Sequence, residues 1–219
     1  MGEKDNQLDT QRTKDAQYRR YYDVVIPTPS HEQVEFYLSE WKKLENYQLQ
    51  ENALDKLFFE LCPNNTDISD ILLKVSTLND FYSTNIFSVY SVAKQILFLN
   101  IDERLKAGDV TLVEDIKGVA INGKVHYFYS FASKYCSHHN PLAFPIYDSY
   151  VDKVLRYFRR RDNFSTFADD NLKNYALFKD ILRAFQNHYG LEEYDLKLID
   201  KYLWLLGKDY FRKNYSKKA

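Results

Sequence analysis

Residues 140–158 read NPLAFPIYDSYVDKVLRYF, and this stretch decides both the class of fold and where chemistry can sit. Pro141 and Pro145 bar a helix from its first half, because proline lacks an amide donor and restricts the residue before it. Beyond them Val151, Val154, Leu155 and Phe158 recur at three- and four-residue steps, the period of one apolar helix face. Asp148 falls at the opening of that helix, where backbone N–H groups favour a charged carboxylate. Such an aspartate is either a helix cap or a reactive group held ionised.

The same period runs outward on both sides. After Pro27 and Pro29, Ser30 caps a helix carrying Val34, Tyr37, Leu38, Trp41 and Leu44, and a continuation from Leu49 to Leu61 stops at Cys62-Pro63. Asp67 opens a helix with Ile68, Ile71, Leu72 and Val75, and another runs from Ile86 to Leu99. Ala107-Gly108 and Gly118 mark a turn-rich stretch. Asn122-Gly123 then joins two short arms, Val119–Ile121 and Val125–Tyr127, into one tiny β-hairpin near 119–127. Helices over Tyr127–His138, Tyr147–Arg160, Asn171–Tyr189 (ended by Gly190) and Tyr194–Tyr210 complete the pattern. The fold class is therefore all-α. Residues 1–22 read as a polar arm and 23–219 as a single compact unit, two-lobed, with 78–158 as the central lobe and 28–77 and 159–219 packing together as the second.

Composition narrows the function classes. The 219 residues are 45% hydrophobic and 28% charged, enough for a sizeable core, and the 19 Tyr and 15 Phe supply rigid flat side chains for packing or for stacking on bases. A net charge of −1 excludes a global positive field, so a nucleic-acid partner would need a local basic patch. Two cysteines, Cys62 and Cys136, exclude a four-thiolate cluster and give no disulfide framework, which fits a cytoplasmic setting. No apolar run reaches membrane-span length, and the start, MGEKDNQLDTQRTKDAQYRR, lacks the apolar core of a signal peptide.

The segment FASKYCSHHNPLAFPIYDSYVDKVL, Phe131–Leu155, resembles the end of the helix-hairpin-helix DNA glycosylase superfamily, the endonuclease III-like repair enzymes. In that family a small pair such as Thr-Ala is followed about sixteen residues later by an aspartate that starts the next helix. Ala132 and Asp148 have that spacing, and LNDFYSTNIFSVYSVAKQIL, Leu78–Leu97, looks like the helix pair that begins the family's central barrel. The resemblance implies a two-lobed helical bundle that binds DNA and in which Asp148 is catalytic; no cofactor is expected. Its carboxylate would stabilise charge on the deoxyribose, or position water, as the N-glycosidic bond breaks. It also implies an extruded base held by aromatic faces, with Tyr82, Tyr147 and Tyr150 as candidates. The family's glycine-rich phosphate turn aligns with Lys124–Phe128, which has no glycine; Lys124 beside Gly118 and Gly123 is the substitute. The family's lyase lysine aligns with Ser130, and Lys134 lies one helical turn further on, off register. Base removal without strand cleavage is the expected activity.

Each of these residues also has a plainer reading. Arg156, Arg159 and Arg160 at the end of the Asp148 helix are phosphate contacts or a solvated basic terminus. Cys136, His138 and His139 resemble a metal set, but adjacent histidines point in different directions, so no metal is expected. The alternative function is a noncatalytic nucleic-acid-binding or protein-interaction helical module in which Asp148 only caps.

Overall fold

In the computed structural model, residues 25–211 are described; the polar arm over 1–22 lies outside them. Among the described residues ten α-helices and one two-stranded antiparallel sheet form the fold, all-α with a small β-hairpin. The helices are α1 (His31–Trp41), α2 (Glu45–Asp55), α3 (Ile68–Tyr82), α4 (Val89–Leu99), α5 (Asp102–Ala107), α6 (Thr111–Lys117), α7 (Tyr129–His139), α8 (Ser149–Asp162), α9 (Tyr175–Tyr189) and α10 (Leu196–Tyr210). A π-helical turn, Lys56–Leu61, extends α2, and a 3-10 turn, Asp169–Lys173, precedes α9.

Polar caps set most of the long helices. Ser30, Asp67, Asp148, Asn174 and Asp195 each accept a hydrogen bond from an N–H in the first turn of the helix they open. Gly190 ends α9 at φ +65, a left-handed angle that glycine adopts without strain. The hairpin pairs β1 (Gly118–Ile121) with β2 (Lys124–Tyr127) across Asn122 and Gly123, both at positive φ. Two differences from the sequence reading stand out. The turn-rich stretch holds the short helices α5 and α6, whose Leu105, Leu112, Val113 and Ile116 are buried. The segment read as helix from Asn171 breaks at Asn174, which caps α9 through Leu177 N–H.

Buried apolar side chains form one continuous core from Ile26 to Phe211. α10 packs on α1 and α8, α3 on α4 and α7, and α6 on α7. The chain from α7 to α8 is therefore fixed between the two ends of the sequence. Phe144 is fully buried, Tyr175 Oη donates to the Pro145 carbonyl at 2.7 Å, and Asn140 Nδ2 donates to the Leu105 carbonyl at 2.9 Å. This clamped connector delivers Asp148 to its place.

Candidate active site

α7 is buried almost throughout, and its polar side chains Ser130, Ser133 and Lys134 share one face because they stand at i, i+3 and i+4. That face grips the connector. Ser130 Oγ donates to the Tyr147 carbonyl at 3.0 Å, and Tyr147 N–H donates to Ser133 Oγ at 3.0 Å. Asp148 follows directly. Its Oδ1 accepts from Tyr150 N–H at 2.8 Å, so it does cap α8, while its Oδ2 lies 3.7 Å from the Lys134 ammonium nitrogen. The Lys134 side chain is 4% exposed and that of Asp148 21% exposed. Lys134 Nζ also donates to Ser130 Oγ at 2.6 Å. Side chains on a helix tilt toward its N-terminus, so this lysine reaches back over the preceding turn. The amine therefore lies beside both Ser130 and Asp148.

Three further elements surround the pair. Tyr82, the last residue of α3, sets its ring 5.1 Å from Lys134 Nζ and its hydroxyl 3.0 Å from His138 Nε2. It keeps 38% of its surface, yet burial raises its phenol above the ordinary value, with Asp200, Glu51, Asp55 and Asp148 adding to the effect. The cluster of Lys134, Asp148, Tyr82 and His138, partly open to solvent at Tyr82 and Asp148, is called the recess below. Burial also pushes His138 down to about 4, helped by Lys197 and Lys134, so its ring is neutral at neutral pH and can accept the Tyr82 proton. On α2, burial works to raise Glu51, but hydrogen bonds from Lys201 (2.7 Å) and Lys197 (2.9 Å) on α10 hold it below its usual range. Asp200 of α10 is 9% exposed, and its Oδ1 has no hydrogen-bond partner among the described residues. Burial drives it well above the carboxylate range, Lys134 opposing and Asp148 reinforcing.

The sequence-derived site residues divide accordingly. Asp148 and Tyr82 belong to the recess. Tyr147 does not line it with its hydroxyl, which donates to Asp152 Oδ2 at 2.8 Å while the ring packs on Tyr129 and Phe178. Tyr150 is half-buried where α8 meets α10, with Lys153 Nζ 5.6 Å from its ring. Arg156 bridges Asp152 and Asp169, and Arg159 binds Asp169 Oδ1 at 2.7 Å and the Phe167 carbonyl at 2.6 Å. These two guanidiniums are directed inward, whereas Arg160 is exposed. Lys124 opens the exposed strand β2, so the residues aligned with the glycine-rich turn form a β-strand between α6 and α7. Cys136, His138 and His139 diverge: the thiol is buried, and the two rings face Tyr82 and Asn65 respectively. Among the described residues no group of three metal-ligating side chains occurs.

Sequence reasoning missed Asp200 and Glu51 and weighed Lys134 and His138 only in other roles. Lys134 left a further signal, the polar i, i+3, i+4 face of an otherwise apolar helix. A second buried lysine, Lys74, is accounted for by structure: its Nζ donates to the carbonyls of Cys62 and Asn64 and to Asn65 Oδ1. A hollow of about 240 Å³ walled by Phe167, Leu177, Asp180 and Ile181 shares no residue with the recess.

The class these features define is an all-α protein whose helix-capping carboxylate is paired with a buried amine. The model of the HI_0787_N family, N-terminal domain, matches residues 33–143, which carry Glu51, Tyr82, Lys134 and His138 and stop short of Asp148. A protein of Haemophilus influenzae (strain ATCC 51907 / DSM 11121 / KW20 / Rd), named only as an uncharacterized protein, is 52% identical over 152 residues, covering 69% of this chain and 73% of that protein. The chain belongs to the HI_0787_N family. No solved structure matches it. Among the described residues no helix is long and apolar enough to cross a membrane.

Proposed function

We propose that this chain is a DNA glycosylase-like enzyme that removes a damaged or modified base, with Asp148 as the carboxylate facing the deoxyribose. The observation that carries the reading is the Asp148–Lys134 pair at 3.7 Å, set at a helix start beside the partly exposed Tyr82. Asp148 offers Oδ2 to positive charge growing at C1′ or to an attacking water, while Oδ1 stays on its cap. Tyr82 supplies an aromatic face for an extruded base. The partner is DNA, with Lys124, Arg156, Arg159 and Arg160 as the proposed phosphate contacts, of which Lys124 and Arg160 are exposed. A cytoplasmic setting belongs to the same proposal and is supported by two buried, unbridged thiols.

In its first form the reaction is monofunctional: water takes C1′, the base leaves and the strand stays whole. Duplexes carrying a panel of lesions, treated with alkali after incubation, report this as strand breaks at new abasic sites. Asp148→Asn should abolish them, and undiminished breakage by that variant would reject the mechanism.

The position of Lys134 favours a second form. Its amine would attack C1′ as the base departs with the C–N electron pair, and the aminal so formed opens to an iminium as the C1′–O4′ bond breaks and O4′ takes a proton. The ammonium proton passes to Asp148 or to the base, and loss of a C2′ proton then expels the 3′ phosphate. Borohydride would trap the iminium as a protein–DNA adduct, abolished in Lys134→Gln. Base release without any adduct selects the monofunctional form.

A further inference from the structure

Both tryptophans of the chain, Trp41 and Trp204, meet Tyr47 at one corner of the fold, and none of the three belongs to the recess. Trp41 ends α1, Tyr47 stands in the first turn of α2, and the packing of α1 on α10 brings Trp204 up to both. The ring centroids lie 5.2 to 6.0 Å apart. Trp204 stands nearly upright to the others, at 75° to Trp41 and 72° to Tyr47, so the rings form an open corner of π faces rather than a stack. Each ring is half-buried and keeps some surface in solvent. The corner already holds an ammonium. Lys208, one helical turn beyond Trp204, sets Nζ 4.5 Å from the Tyr47 centroid and 4.7 Å from that of Trp204, and donates to Tyr47 Oη at 2.8 Å. A second ammonium on the same face of α10, that of Lys201, lies 4.7 Å from the Trp41 centroid. The two are held unequally. Lys201 donates to Glu51 at 2.7 Å, whereas the Tyr47 hydroxyl is the one hydrogen-bond partner of the Lys208 ammonium among the described residues. Lys208 is therefore the occupant that can leave.

We propose that Trp41, Tyr47 and Trp204 form a binding site for a small molecule carrying a methylated ammonium group, of the choline class, and that Lys208 is its internal competitor. The inference stands apart from the glycosylase reading. A lysine ammonium is a compact, strongly hydrated charge, while a fully methylated one has no N–H to lose from water and spreads its charge over its methyl groups. Aromatic faces therefore suit the methylated cation better. Lys208 stands in the last turn of α10 on a flexible stem, so its head can swing out to water and recover its hydration as the ligand enters. The Tyr47 hydroxyl it leaves is then open to the hydroxyl of a choline. Rings at this spacing take one head group, and the rim favours a soluble ligand over a lipid surface, since the adjoining Lys42, Lys43, Glu45 and Asn46 are all exposed and polar.

Because the chain has no other tryptophan, its indole emission reads this corner alone. Choline is titrated at fixed ionic strength into wild type and Lys208→Ser, with neohexanol, the uncharged isostere in which carbon replaces nitrogen, as the control. Wild type should show a saturable change in emission, and Lys208→Ser the same change at a Kd about tenfold lower, because the competing head group is gone. Lys208→Gln, which keeps a long stem and drops the charge, should behave alike, and urea midpoints establish that both variants are folded. The isostere should bind about tenfold more weakly or worse, and Tyr47→Leu should weaken choline by a similar factor. Phosphatidylcholine vesicles presenting the same head-group concentration should leave the emission unchanged. No saturable change in wild type, equal affinity for choline and its isostere, or a response to vesicles without one to free choline would each overturn the site. An unchanged Kd in both folded Lys208 variants would overturn the competitor role.

Discussion

Lys134 stands in a helix whose neighbours Phe131, Ala132, Tyr135 and Cys136 are all buried, so its amine must find polar company inside the fold. Asp148 and Ser130 provide it. Because the lysine is nearly enclosed and the aspartate only partly so, their coupling should exceed that of a surface ion pair. A double-mutant cycle on Asp148→Asn and Lys134→Met, read by urea unfolding, should return a coupling of about 1–2 kcal/mol. A coupling near zero would mean that the two groups merely lie close. Asp148→Ser makes a second distinction. Serine caps nearly as well, so helix capping survives while the anion beside Lys134 is lost. Stability should fall by more than a cap exchange, a few tenths of a kcal/mol, would account for, and base release should fall with it; an active, fully stable Asp148→Ser chain would reduce Asp148 to a cap.

The meeting of α8 and α10 is the element-level feature on which the recess depends. Gly207→Ala would raise local helix propensity by about 1 kcal/mol, yet its Cβ would strike the Tyr150 backbone, which cannot rotate away. Net destabilisation of about 1–3 kcal/mol in urea unfolding is expected, with a loss of activity beyond what the unfolded fraction explains. A stabilised, fully active variant would show that α8 need not sit so near. This scale also shows what the sequence made legible. α8 could be read closely because the two prolines brake the chain, Asp148 caps it, and four apolar residues keep the period for two turns. α5 and α6, at 6 and 7 residues, are too short for that period to declare itself, and their burial comes from partners elsewhere. Of the residues clustered around Lys134, the sequence singled out Asp148 and Tyr82 as site candidates and named Lys134 and His138 in other roles. The nearness of Lys134 to Asp148 was not legible because helical register locates a Cα, whereas a lysine stem spans a full turn. His138, Glu51 and Asp200 gain their neighbours from helices far apart in sequence, which no local pattern encodes.

Across the whole molecule, the two histidines in the last turn of α7 tie stability to pH. Burial lowers His138 to about 4 and His139 to about 3 from an ordinary 6.5, with nearby lysines contributing. The unfolded chain therefore binds protons that the folded chain refuses. The stability this represents is whole above 6.5 and is lost as pH falls toward 4 and 3, at up to about 1.4 kcal/mol per pH unit for each histidine. Asp200 acts in the opposite sense, since the fold holds its proton above the pH where the unfolded chain releases it. Urea unfolding between pH 6 and pH 4.5 should thus show a steep decline that is shallower in a His138→Gln, His139→Gln chain; equal slopes would mean that the rings titrate freely in the fold.

In the proposed function Asp148 acts upon a sugar rather than only upon its own helix. The most direct measurement is free base released in a single turnover from lesion-bearing duplexes, quantified by mass spectrometry for wild type and Asp148→Asn at equal folded concentration. The expected result is release by wild type and a loss of about 100-fold or more in the variant. Equal release by both, or none by wild type on any lesion, would contradict it.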